Sequence, residues 1–228
     1  MVVADFSGTE GDDDLDGGKG ADVIKGLGGA DYLRGFSGAD LLSGGDGNDN
    51  LNGGRGADAL DGGAGFDLAS YWLSTRGLTA DLQNPDANTS EAKGDSYVGI
   101  EGLEGSYFND VLRGDGNSND ILGAGGDDRL VGRGGDDFLA GGAGADRIDG
   151  GDGLDFAGYW ESDVGLTVDL LDPAENTGEA QGDSYASVEG LLGTRFDDVL
   201  RGNGEANIIF GNDGDVFYRN SIIFPLSF

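Results

Sequence analysis

Residues 8–70 read GTEGDDDLD, GGKGADVIK, GLGGADYLR, GFSGADLLS, GGDGNDNLN, GGRGADALD and GGAGFDLAS, one nine-residue phrase repeated without a gap. Every unit has Gly first and Asp sixth, and its eighth residue is aliphatic, with Ala69 in the seventh unit. A fixed short period means that no unit buries a core alone, so neighbouring units must stack. Glycines at the first, second and fourth positions allow positive φ and a tight turn that a Cβ would resist. Such a turn points carbonyls inward. The sixth-position Asp adds a hard anionic oxygen, the donor type that Ca²⁺ gathers in shells of about six to eight at roughly 2.3–2.6 Å. The last three residues form a short strand whose middle member (Leu15, Ile24, Leu33, Leu42, Leu51, Leu60) faces inward, because strand side chains alternate.

The repeat resembles the RTX calcium-binding nonapeptide, and the resemblance implies that two units make one coil of 18 residues, with coils stacked at about 4.8 Å. The fold expected is therefore all-β: a right-handed parallel β-roll, a solenoid on Ca²⁺ rows along both edges, with almost no helix. In each row near-identical carboxylates face each other one strand spacing apart. Alone they repel; with Ca²⁺ between them they hold the stack together. The pairs expected in this block are Asp13–Asp31, Asp22–Asp40, Asp31–Asp49, Asp40–Asp58 and Asp49–Asp67.

A second period of 88 residues aligns the stretch from Gly65 with that from Gly153. It divides the chain into a first nonapeptide block (8–70), a spacer (71–104), a second block (105–158), a second spacer (159–192), a partial third block (193–218) and an apolar tail (219–228). Sixth positions of the later blocks are Asp110, Asn119, Asp128, Asp137, Asp146 and Asp155, then Asp198 and Asn207. Asn keeps an oxygen but loses the charge, so sites using Asn119 or Asn207 should be weaker. Each spacer of 34 residues has nearly the length of two coils and is expected to continue the roll as two irregular rungs; an Ω-like insertion or a flexible linker is the competing reading. The pairs Tyr71/Trp72 and Tyr159/Trp160 either pack those rungs or offer a sugar-binding platform. At the end, GNDGDV places Val216 where Asp belongs, and the tail either caps the stack, carries a secretion signal or is an appended segment.

Forty-four acidic against thirteen basic residues give a formal net charge of −31. Without metal such a Gly-rich polyanion resembles a disordered chain more than a globule. Nucleic acid and anionic membrane surfaces are disfavoured as partners by sign. With no Cys there is no disulfide framework, and with no His the usual general base and most zinc or copper sites are gone. The first residues have no basic region or apolar core of a Sec signal peptide, and no apolar run reaches the roughly 18 residues of a membrane span.

Other motifs fail on their chemistry. Asp115–Asp120 reads DGNSND but lacks the sixth-position Gly and twelfth-position Glu of an EF-hand loop. GGKGAD at Gly17 lacks the ending of a phosphate loop. Carboxylate pairs for a glycosidase arise by chance when Asp recurs in every turn, and no ordered Thr or Asn row supports an ice-binding face.

The nonapeptides resemble the RTX, or haemolysin-type, calcium-binding repeat family, from Gly8 to about Tyr218. The resemblance implies Ca²⁺ as the bound cofactor, several ions per chain, with carbonyls of the second and fourth positions and the Asp of one turn facing carbonyls of the first and third positions and the Asp of the turn 18 residues on. Carried over, the Asp22–Asp40 site would use the Gly18, Gly20, Gly35 and Ser37 carbonyls, and the Asp49–Asp67 site those of Gly45, Gly47, Gly62 and Ala64. It further implies a secreted, extracellular module of a bacterial protein, exported through a type I secretion channel and folding on calcium, not itself an enzyme. The alternative implied is an accessory substrate-binding module of a secreted epimerase, lipase or protease, with a polysaccharide partner. Lys25, Arg34, Arg55, Arg113, Arg129, Arg133, Arg147 and Arg201 fall at several repeat positions rather than in one strip, which favours the first.

Overall fold

The computed structural model describes residues 4–212, with the backbone of 216–219 and 222–223. Every strand pair among them is parallel, and within the first nonapeptide block each joins residues one 18-residue coil apart. Leu15 stands beside Leu33 and Leu33 beside Leu51 on one face; Ile24, Leu42 and Leu60 stand in line on the other. The nine-residue period produces this directly: turn residues every half coil leave room for strands of only three to seven residues. The roll is all-β, a solenoid of stacked coils; the only helical segments among the described residues are four 3₁₀ turns of three residues each, two in each spacer.

The two faces differ. One is a continuous sheet of eleven strands from Asp14–Lys19 to Ile222–Ile223. Its inward row runs Leu33, Leu51, Ala69, Leu103, Ile121, Leu139, Ala157, Leu191 and Ile209, all fully buried. The opposite face is broken at each spacer into sheets of five, five and three strands. Leu15, nearest the start of the stack, is only half-buried, because no described coil covers it on one side.

The length argument for two coils per spacer holds on one face only. On the continuous sheet the first spacer advances the stack by a single step, with Gly102 pairing directly to Leu68 and Leu103 to Ala69. On the broken face it supplies two strands, Ser96–Val98 against Ala59–Ala64 and Thr79–Asp81 against Val111–Arg113. The second spacer repeats this with Ser184–Ala186 and Thr167–Asp169. The chain therefore runs ahead to begin the next sheet before returning to finish the previous one.

Buried polar groups hold this fold-back. Tyr71 Oη donates to Asp95 Oδ2 at 2.9 Å and lies 2.6 Å from the Tyr97 hydroxyl, which accepts from Asn88 Nδ2 at 2.9 Å. Tyr159, Asp183, Tyr185 and Asn176 repeat the network. Tyr71 and Tyr159 are thus buried packing residues; Trp72 is exposed, and Trp160 lies against Phe138 with ring centroids 4.7 Å apart on the outside of the continuous sheet. Arg133 grips the buried carboxylate of Asp81 with two bonds of 2.8 Å. Burial alone would raise the Asp81 pKa, but the Arg133 guanidinium, the Asn84 N–H and the nearby Arg113 together outweigh it and hold the group below its usual value. In the second spacer Asp169 has Arg201 at 3.5 Å instead.

Val216 pairs with Asp198, so the carboxylate row on that edge ends there. The backbone of Ile222–Ile223 adds a strand to the continuous sheet, and the remainder of the tail lies outside the described residues.

Candidate metal sites along the turn edges

The sixth-position carboxylates form two rows, one on each edge of the roll. Each sequence-expected pair in the first block is joined in the same way: Asp13 N–H donates to Asp31 Oδ1, Asp22 to Asp40, Asp31 to Asp49, Asp40 to Asp58 and Asp49 to Asp67, all at 2.8 Å. The second block repeats it from Asp110 to Asp128, Asn119 to Asp137, Asp128 to Asp146 and Asp137 to Asp155. One carboxylate oxygen of each thus serves the backbone of the coil before.

The second oxygen divides the row. In nine residues, Asp31, Asp40, Asp49, Asp58, Asp67, Asp128, Asp137, Asp146 and Asp155, Oδ2 is buried with no hydrogen-bond partner. In the first coil of every block it is occupied: Thr9 N–H donates to Asp13 Oδ2, Gly18 to Asp22, Ser106 to Asp110 and Thr194 to Asp198, while Asp115 and Asn203 donate to the Oδ1 of Asn119 and Asn207. The switch lies in the residue four positions earlier, the second of the repeat. In each of the nine open turns that residue has positive φ, and in none of the six closed ones does it. Leu27 (φ 87°), Phe36 (65°), Ala124 (73°) and Arg133 (84°) adopt this conformation despite a Cβ, at roughly 1–2 kcal/mol each. Left-handed backbone at the second position turns its N–H off the carboxylate and leaves that oxygen for another partner.

The first-position glycines have a different reason from the one expected. None has positive φ. A Cβ on Gly35 would instead stand 2.5 Å from Asp40 Oδ2 and 2.7 Å from the Gly53 carbonyl, so the glycine keeps clear the slot where carboxylate and next-coil carbonyl meet. Gly17 does the same between Asp22 Oδ2 and the Gly35 carbonyl, and Gly44 between Asp49 Oδ2 and the Gly62 carbonyl. The Ser37 and Ala64 carbonyls also face the preceding coil, accepting from Gly20 and Gly47 N–H at 2.7 and 2.8 Å. Gly18 and Gly45 lie in the strand pairs Gly18–Phe36 and Gly45–Gly63.

A row of buried, partnerless carboxylate oxygens beside backbone carbonyls is costly without a counter-charge. Its donors are all hard oxygens, which fits Ca²⁺ and not a soft or imidazole-seeking metal. Among the described residues no three carboxylates converge on one point, so carbonyls must supply most of any ion's shell. A profile of the RTX calcium-binding nonapeptide repeat matches residues 7–35, 34–69, 99–130, 122–157 and 191–215, well over half of the chain. The chain belongs to the RTX calcium-binding nonapeptide repeat family. No curated protein matches it. Membership makes this roll a calcium-binding structural module, and the family's contribution is not catalytic.

Sequence reasoning passed over four carboxylates in the RTX rows. Asp58 N–H donates to Asp95 Oδ1 and Asp146 N–H to Asp183 Oδ1; Asp67 and Asp155 donate to Glu101 and Glu189. Each stands two residues before an inward side chain, Tyr97, Tyr185, Leu103 or Leu191, as the sixth position stands before the eighth. That phase was the available signal, hidden because no glycine turn of the repeat precedes it.

Burial raises Asp58, Asp67, Asp128, Asp137 and Asp146, and neighbouring carboxylates add to it, against the opposing bond from the coil before. Asp58 and Asp67 are pushed up to about 6, Asp137 and Asp146 to about 7 and Asp128 to about 8. A carboxyl raised in the fold carries no penalty below the unfolded value near 4 and the full penalty above its folded value. The metal-free roll is therefore expected to lose stability as pH rises from about 4 to 8, and the calcium-loaded roll to weaken as protons compete in the opposite direction. Circular dichroism in EDTA at pH 5 and pH 8 checks the first; equal β content at both would count against it.

Proposed function

We propose that this chain is a calcium-gated folding module of a secreted protein, open before export and folded once it meets calcium outside the cell, with no catalytic activity of its own. The nine buried carboxylate oxygens without a partner support this reading most directly. Each nonapeptide coil places only two inward residues in the core, little against an ordering cost of roughly 1–2 kcal/mol per residue. The formal charge of −31 adds repulsion that grows as the chain compacts. Calcium reverses both terms, so binding energy becomes folding energy. Extracellular calcium modules bind at about 10⁻⁴–10⁻³ M, which separates a calcium-poor cytosol from the medium and suits export of an open chain through a type I channel. In the far ultraviolet the chain is expected to be disordered in EDTA at pH 8 and β-structured in millimolar CaCl₂, with a cooperative transition. A full β spectrum in EDTA, unchanged by calcium, would make the metal decorative.

One observation favours a second role, as an accessory binding module. Phe138, Trp160, Phe156 and Phe210 form two ring pairs on the outside of the continuous sheet, where aromatic rings can stack on sugar faces. Titration with neutral and uronate oligosaccharides, read by tryptophan fluorescence, tests it; no change at millimolar ligand removes this role.

A further inference from the structure

We infer that each spacer carries one more calcium site at its exit, formed by Asp67 with Glu101 and the Gly99 carbonyl, and by Asp155 with Glu189 and the Ser187 carbonyl. This rests on the calcium reading above. Asp67 and Asp155 close their nonapeptide blocks, where the sequence offers no Asp 18 residues further on. Both are fully buried, and in both Oδ2 has no partner. Their backbone N–H groups donate to Glu101 Oε2 at 3.0 Å and Glu189 Oε2 at 3.1 Å, the bond that every regular turn makes to the next Asp.

The carbonyl side of the cage is rebuilt as well. In a regular turn the slot beside the first-position glycine is bounded by its own Asp Oδ2 and the first-position carbonyl of the next coil. At Gly62 that second wall is the Gly99 carbonyl, and at Gly150 it is the Ser187 carbonyl. Gly99 and Ser187 both hold positive φ, 54° and 48°, and Ser187 does so with a Cβ. The spacer thus bends its backbone to present an oxygen where the repeat would have presented one, and it does so twice, 88 residues apart. A Glu at the carboxylate position adds reach where the returning chain lacks the repeat's turn.

The opposite edge is built differently. Asp95 and Asp183 also receive the N–H of the coil before, but their Oδ2 atoms accept from the buried hydroxyls of Tyr71 and Tyr159. There a phenol satisfies the second oxygen of Asp95 and of Asp183, which Asp67 and Asp155 leave open on the other edge. Each spacer is therefore stapled by calcium on the edge of the continuous sheet and by tyrosine on the broken edge.

The test counts calcium bound to the full chain at saturation, by native mass spectrometry, with far-UV spectra to check folding. Glu101→Gln keeps an acceptor for the Asp67 N–H but removes the charge, and is expected to lower the count by one ion; Glu189→Gln likewise, and the double variant by two. Glu101→Asp restores a carboxylate and is expected to keep the wild-type count. Asp95→Asn, on the tyrosine-capped edge, is expected to keep it too. If the Gln and Asp variants of Glu101 both hold the wild-type count, or both lose an ion, the inference is overturned. Wild-type chain that binds no calcium would instead bring down the function proposed above, and this inference with it.

Discussion

Gly35→Ala is expected to disable a calcium turn and raise the calcium midpoint of folding several-fold. The new Cβ would lie 2.5 Å from Asp40 Oδ2 and 2.7 Å from the Gly53 carbonyl, both parts of the packed stack. Displacing them costs about 1–3 kcal/mol in overpacking before any loss of ion binding is counted. The effect should spread, because Asp40 Oδ1 also accepts the Asp22 N–H and Asp40 N–H donates to Asp58. Gly18→Ala is the matched control. Its Cβ would meet only Asp22 Oδ2 at 3.9 Å, and its φ is not positive, so a change within about 0.5 kcal/mol is expected. The pair is compared by calcium titration under circular dichroism and by urea unfolding in saturating calcium. Equal midpoints for the two variants would mean that the slot beside the first-position glycine is not part of the calcium turn.

Leu103→Ala is expected to lose about 2–5 kcal/mol, the range for a buried Leu cut to Ala where the cavity cannot collapse. Leu103 is fully buried between Ala69 and Ile121 in the inward row of the continuous sheet. Its neighbour is already small, so truncation places two alanines in succession, and the coils cannot close the gap while their backbones remain hydrogen-bonded. The position matters as much as the volume. On the broken face the strands Ser96–Val98 and Thr79–Asp81 belong to different sheets, so the pairing of Leu68–Ser70 with Gly102–Glu104 joins the coils before and after the spacer. In a stack coupled only between neighbours, weakening that step uncouples the two blocks. Calorimetry in saturating calcium should show one transition in the wild type and two in the variant. A single transition with an unchanged midpoint would show that the blocks are coupled elsewhere.

The nonapeptide period by itself determined most of this protein. Gly first, Asp sixth and an aliphatic eighth dictate stacked parallel strands, two carboxylate rows and two inward ladders, because each unit exposes an apolar face that only its neighbours can cover. Calcium as the ligand followed from the same phrase, since phased carboxylates one strand apart need a divalent counter-ion and the chain has no His or Cys to hold another metal. The regular pairs, from Asp13–Asp31 to Asp137–Asp155, were legible because local spacing and stacking distance coincide at 18 residues. Tertiary structure decided what depends on contacts between distant parts of the chain. Whether a turn is open or closed turns on the φ of its second residue, and Leu27, Phe36 and Arg133 are left-handed against their own preference because the stack holds them so. The spacers obey no period, so their length could not reveal a single step on one face and two strands on the other. Glu101, Glu189, Asp95 and Asp183 join the carboxylate rows only once that fold-back sets them beside Asp67, Asp155, Asp58 and Asp146. Period is a property of the chain; the partner of a buried carboxylate across a 34-residue detour exists only in space.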